Sequence, residues 1–166
     1  TSFLTFAPKY FVEQGFSDAR AGMVASMWFW PAIAVIPLIG HFSDRFGHRE
    51  LLIGVGLIAM AVLIPLVSPF FALIVVWMLI LSVFQSFVPA PVYAAAHDLV
   101  KPAQLGIAYG VLNTLLNAGI FFGPWLTGVV RDATNSYQAS FLVMSLFAAV
   151  GAISVFSCRK LRSQVS

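Results

Sequence analysis

Five apolar stretches follow one another in this chain, at residues 21–40, 51–67, 70 to about 96, 105–130 and 137–157, with short polar links between them. Crossing the hydrocarbon layer of a bilayer takes a helix of about twenty apolar residues. Within that layer the backbone must satisfy its own hydrogen bonds, so a chain of this pattern folds as a bundle of spanning helices. Composition agrees. Hydrophobic residues make up 60% and charged residues 9%, against about a quarter charged in soluble domains. The fold class is therefore all-α, a polytopic membrane helix bundle. The formal net charge of +3 does not point to nucleic acid, because the nine Lys and Arg are scattered among links rather than gathered in a stripe.

The chain opens inside an apolar run without Met, the pattern of a fragment. Residues 1–12 read as a truncated transmembrane helix, with Pro8 and Lys9 near its exit; residues 13–166 hold five complete spans and a basic tail, Arg159-Lys160-Leu161-Arg162. Residues 13–20 form a polar loop, where Ser17 and Asp18 suit the cap of the next helix. The first full span contains Pro31 and Pro37. Ser68-Pro69 makes a very short turn after the second, and Pro89 with Pro91 should distort the last turns of the third. Links at 97–104 and 131–136 complete the alternation. Trp28, Trp77 and Trp125 are expected at lipid or at the interface, as tryptophan commonly is. The lone Cys158 excludes an intrachain disulfide; a small residue at a helix end is its simplest role, with acylation conceivable beside Arg159 and Lys160.

Alternating the links places Arg45, Arg49, Lys101, Arg159, Lys160 and Arg162 on one side and Lys9, Arg20 and Arg131 on the other. The richer side is expected to be cytosolic, C-terminus included. All six acidic residues also fall in links or at span ends, so no span interior carries an ionisable group. An intramembrane enzyme is thereby disfavoured, since its acid, base or nucleophile would have to lie there. No phosphate-binding Gly-x-x-x-x-Gly-Lys run occurs, and no cofactor is implied. His41 and His48 lack acidic or Cys ligands at metal spacing. His97-Asp98, a catalytic pair on paper, falls at a cytosolic helix end.

The link between the first two full spans is Gly40-His41-Phe42-Ser43-Asp44-Arg45-Phe46-Gly47-His48-Arg49. Its pattern, Gly-x-x-x-Asp-Arg-x-Gly-x-Arg, resembles the signature loop of the major facilitator superfamily of secondary transporters. A plainer reading stands beside it: Asp44 caps a turn while Arg45 and Arg49 anchor at lipid headgroups. The run from Leu105 through Tyr109, Gly110, Asn113, Asn117, Gly123-Pro124 and Gly128, and then Asp132 to Tyr137, is similar to the family's penultimate helix and the loop after it. Glu50 departs from the pattern, many members having a second base there. The resemblance implies one six-helix half of a twelve-helix fold, the C-terminal half, with the N-terminal half as missing partner. It implies secondary active transport of a small solute by alternating access, as symport driven by a gradient, across the plasma or inner membrane. Gly-Pro-x-x-x-Gly followed by Asp-x-Thr-x-Ser is similar to carriers of small organic anions, although no span here offers a cation, so such a charge would come from the missing half. A non-transporting receptor or scaffold of the same fold is the alternative.

Transporters of this architecture bind solute near the midplane, which directs attention to polar faces at mid-depth. Gly106, Gly110, Asn113, Asn117 and Pro124 fall within roughly 40° of one direction at about 100° per residue. Ser82, Gln85, Ser86, Pro89 and Tyr93 share a face on the third span, and Ser26, Trp30 and Pro37 share one on the first. The candidate substrate residues are Ser82, Gln85, Tyr93, Asn113, Asn117 and Trp30. The plainer reading of such amides is a hydrogen bond to a neighbouring helix, about 0.6 kcal/mol each. Gly119 and Gly123 suit close helix packing. In the signature loop, Asp44 is expected to gate by meeting a helix N-terminus, either the one near Pro102-Ala103 or one of the other half. Arg45 or Arg49 would hold it, while Gly40 and Gly47 permit approach and turn.

Overall fold

In the computed structural model the described residues are 2–67 and 73–165. They form α1 (Ser2–Glu13), α2 (Asp18–Ser26), α3 (Phe29–Phe46), α4 (Arg49–Leu66), α5 (Ile74–Gln85), α6 (Pro89–Leu99), α7 (Leu105–Thr134) and α8 (Tyr137–Val165). A 3₁₀ turn, Pro102–Gln104, leads into α7. Taken end to end, α2 with α3 and α5 with α6 each make one crossing, giving five candidate membrane spans. The protein is an integral, multi-pass membrane protein. Ser17 caps α2 as expected, accepting the Arg20 N–H at 3.4 Å. The Ser68-Pro69 turn and the start expected at Phe70 lie outside the described residues.

Two spans are broken, and proline explains where. Pro31 has no N–H to offer the Met27 carbonyl, which instead takes the Trp30 N–H at 3.3 Å. Met27 and Trp28 make similar short-range bonds to Val24 and Ala25, so α2 stops and α3 begins anew. Pro89 likewise leaves the Gln85 carbonyl to the Val88 N–H at 3.3 Å, and α6 restarts with that proline in its first turn. The third span is thus split rather than merely distorted. The Ser82 hydroxyl joins the two breaks by donating to the Trp28 carbonyl. On the α4 side the second break is seated on Gly56, where an added Cβ would lie 2.9 Å from both the Phe84 carbonyl oxygen and the Phe87 Cβ.

The signature link is shorter than its polarity suggests. Residues 40–46 continue α3, since neither proline nor a left-handed residue interrupts them before Gly47. Gly47 adopts φ 65°, donates its N–H to the Ser43 carbonyl at 3.0 Å, and turns the chain; α4 starts two residues on.

The most extensive interface is that of α4 with α8. Lipid tails are as apolar as leucine, so such contacts depend on close packing rather than on escape from water. Small residues supply it. A Cβ at Gly54 would run into the Phe156 ring, one at Gly151 would touch Leu57, and the Ser145 hydroxyl donates to the Ala61 carbonyl. A second cluster, around Phe3, Tyr10, Trp28, Met78 and Phe141, ties α1 to α2, α5 and α8. Trp28 is buried there, 2% exposed and stacked on Phe3 at 5.7 Å, so it is no interfacial anchor; the helix break turns it inward. Trp125 remains exposed. The long α7 contrasts with all of these, with Thr127 as its buried residue. Gly119 meets nothing within 4 Å at its would-be Cβ, so it is not at a close helix contact. Gly119 and Gly123 border an apolar cavity of ≈510 Å³ between α1, α4, α7 and α8.

Candidate functional site

Arg49 opens α4 with its side chain 17% exposed. Its guanidinium donates to the Ala94 carbonyl and the Asp98 carboxylate near the end of α6, and reaches Asp44 Oδ1 on α3 at 3.4 Å. One cation thus ties together the same-side ends of the two broken spans. Asp98 also lies 3.7 Å from His97 Nδ1. With both acids substantially open to water, each pair is worth about 1 kcal/mol or less; what the bridge supplies is geometry, since a planar guanidinium fixes three partners at once. The partner of the Asp44 carboxylate is Arg49 rather than the helix start at Pro102-Ala103. Arg45 is exposed on the last turn of α3, and Gly40 sits within that helix, its would-be Cβ 3.8 Å from Ala90 of α6.

A neutral polar seam runs between α6 and α7. The Tyr93 hydroxyl donates to Asn113 Oδ1 at 2.8 Å, and its ring meets Tyr109 edge-on at 5.7 Å. The Asn113 amide donates to the Tyr109 carbonyl at 3.0 Å, and that of Asn117 to the Asn113 carbonyl at 2.8 Å. At about 1.5 Å per residue, Asn113 and Asn117 lie roughly 12 and 18 Å along α7 from Leu105. Both are exposed, as is Trp30 at the second position of α3. Gln85 is half-buried at the end of α5, on the other side of the break from Tyr93. Ser82 and Ser86 are fully buried, their hydroxyls donating to the Trp28 and Ser82 carbonyls. The break between α5 and α6 therefore separates the expected face: Tyr93 joins Asn113, while Ser82 stitches helices together. None of the six candidate residues lines the apolar cavity.

At the opposite end of the bundle Arg131, in the last turn of α7, reaches Glu13 Oε1 of α1 at 2.6 Å and Asp132 at 3.3 Å. The Tyr137 hydroxyl of α8 donates to the same Glu13 oxygen at 2.9 Å, and the Arg131 guanidinium lies 5.0 Å from the Tyr137 ring centre.

Comparison with known proteins decides the family: its description, Major Facilitator Superfamily, matches residues 1–165. The chain belongs to the Major Facilitator Superfamily. Among curated Major Facilitator Superfamily relatives, monocarboxylate transporter 6 of Homo sapiens is 26% identical over 147 residues, covering 86% of this chain and 29% of the relative. The hexuronate transporter of Bacillus subtilis is 29% identical over 175 residues, covering 91% and 40%. The multi-drug resistance efflux pump PmrA of Streptococcus pneumoniae is 28% identical over 137 residues, covering 80% and 33%. The chain thus spans about a third of the length of these transporters.

Asp98, Tyr109, Glu13, Arg131 and Tyr137 are not among the site residues expected from the sequence. Asp98 stands 49 residues from Arg49, and Glu13 stands 118 from Arg131. No local pattern links partners so far apart; a charge at a span end is the one signal that Asp98, Glu13 and Arg131 carry.

Proposed function

We propose that this chain is the C-terminal half of a secondary active solute carrier working by alternating access, with the Arg49 end cytosolic. The observation that carries the reading is the Arg49 bridge. It fastens the ends of α3, α4 and α6 on one side of the bundle, and two of those helices belong to broken spans. Irregular backbone at membrane depth is tolerated where it packs on protein or lines a cavity, and it marks binding regions in transporters. Solute meets the neutral seam of Tyr93, Asn113 and Asn117, with Gln85 and Trp30 as further contacts of this proposal; the buried Ser82, bonded to the Trp28 carbonyl, is not part of that wall. The names of two relatives, a monocarboxylate and a hexuronate transporter, support a small organic anion as the solute. The seam offers hydrogen bonds and aromatic surface but no cation, so the pairing charge sits on the N-terminal half.

Asp44 acts on the cycle and not on the solute. Replacing it with Asn in the full-length carrier should cut uptake roughly 5- to 150-fold, the span of a 1–3 kcal/mol coupling. Cysteine accessibility should shift toward the state open on the Arg49 side, with the substrate contacts retained. Vesicle uptake of a monocarboxylate and a hexuronate, together with labelling from each face, reads both. Unchanged populations in a variant that no longer binds solute would remove the gating role.

A further inference from the structure

The residues that close α7 repeat the arrangement that closes α3. Gly128, Asp132, Asn135 and Tyr137 stand at the same spacing as Gly40, Asp44, Gly47 and Arg49. The backbone repeats as well. α3 ends at Phe46 before Gly47 at φ 65°, and α7 ends at Thr134 before Asn135 at φ 52°. Asn135 is the one described non-glycine residue with a positive φ, a conformation asparagine tolerates better than most. In both places the next helix begins two residues later, and its first side chain donates to a carboxylate on a distant helix end. Arg49 of α4 reaches Asp98 on α6, and Tyr137 of α8 reaches Glu13 on α1.

The two nodes sit at opposite ends of the bundle because α3 and α7 run in opposite directions through it. That is the relation expected of inverted structural repeats, here α1–α4 and α5–α8. Each node takes its acid from the end of the first crossing of the other repeat. The charges are permuted: the bridging Arg opens the third helix at one end and closes the second at the other, where Tyr137 supplies the extra donor. The two loops have no run of shared residues beyond the glycine and the aspartate, so the likeness rests on spacing, backbone and partners together.

We infer that Glu13, Arg131 and Tyr137 form a second latch, the inverted counterpart of the Arg49 bridge, which holds the far end of the bundle closed by tying α1 to α7 and α8. This rests on the alternating-access reading above. Each node constrains its own end, so weakening one biases the carrier toward the state open there. The two latches therefore push the same equilibrium in opposite directions when broken. A simple staple between helices would lower stability without moving that equilibrium.

The test uses the full-length carrier in a cysteine-free background, Cys158→Ala included, with a reporter cysteine at Gly110, which is exposed on α7 and crowded by nothing within 4 Å. A membrane-impermeant maleimide is applied from each face. Glu13→Gln and Arg131→Gln should each raise the ratio of far-side to Arg49-side labelling at least threefold, and Asp44→Asn should lower it. The exchange Glu13→Arg with Arg131→Glu should return the ratio toward wild type. Should the charge variants fail to fold, Tyr137→Phe removes one hydroxyl and should move the ratio the same way by a smaller factor. If Asp44→Asn shifts the ratio while the Glu13, Arg131 and Tyr137 variants change only melting temperature, the second latch is refuted and the carrier reading stands. If no variant shifts it although the carrier still labels from both faces, the gating reading and this one fall together.

Discussion

Two of the five crossings of this bundle are broken and three run through, and proline alone does not decide which. The crossings made by α2 with α3 and α5 with α6 restart next to Pro31 and Pro89, whereas α7 passes through Pro124 for 30 residues without interruption. What differs is the reception the backbone finds. At the broken pair, Ser82 donates to the Trp28 carbonyl, and Gly56 gives the Phe84 carbonyl a flat seat. Around Pro124, α7 borders an apolar cavity, and the Thr127 hydroxyl holds the Gly123 and Pro124 carbonyls within the helix at 3.0 Å. Proline frees a carbonyl; whether the helix stops depends on a neighbour built to take the irregular turn.

The largest effect should come from filling the seat. Gly56→Leu drives a side chain into backbone atoms and should cost about 1–3 kcal/mol or more. A several-degree fall in the melting temperature of the detergent-solubilised carrier, with lower folded yield, is expected. The matched Gly119→Leu, on the unbroken helix, should stay within about 0.5 kcal/mol. Equal losses from both would erase the distinction between the two kinds of crossing. A smaller change follows at the seam, where Tyr93→Phe removes the hydrogen bond from a broken span to α7. A loss of about 0.5–1.5 kcal/mol, read as a few-fold rise in substrate Kd by isothermal titration, is expected, with the melting temperature little changed. The smallest is Ser82→Ala. Interhelical hydroxyl bonds in membranes average about 0.6 kcal/mol, so a slight thermal shift and unaltered Kd should result. A large change in Kd would return Ser82 to the substrate wall.

The crossings were legible in the sequence because hydropathy over about twenty residues answers directly to the thickness of the hydrocarbon layer. The turn at Gly47 was legible for a similar reason, since glycine there has a local cause. The seam was legible in part: spacing placed Asn113 and Asn117 on one face, and both are exposed. The same rule kept Ser82 with Ser86 but not with Tyr93, because helical periodicity holds only while the helix continues, and a break intervenes at residues 86–88. Trp28 was misplaced by the other break. Asp98 and Glu13 were out of reach for a different reason, their Arg partners being 49 and 118 residues away; such pairs follow from topology rather than from neighbourhood in the chain.

The bareness of α7 bears on how the protein is made. Of the five crossings it has the lowest mean hydropathy, and its most apolar stretch has no buried residue. The asparagines, glycines and proline on it also loosen its hold on lipid when it leaves the translocon. Its lateral support is α1, α6 and α8, and of these α8 is synthesised after it. During biogenesis α7 therefore rests in the bilayer as a marginal segment until α8 emerges and closes over one side of it. The least covered crossing is thus also one that leaves the ribosome before its partner on one side exists.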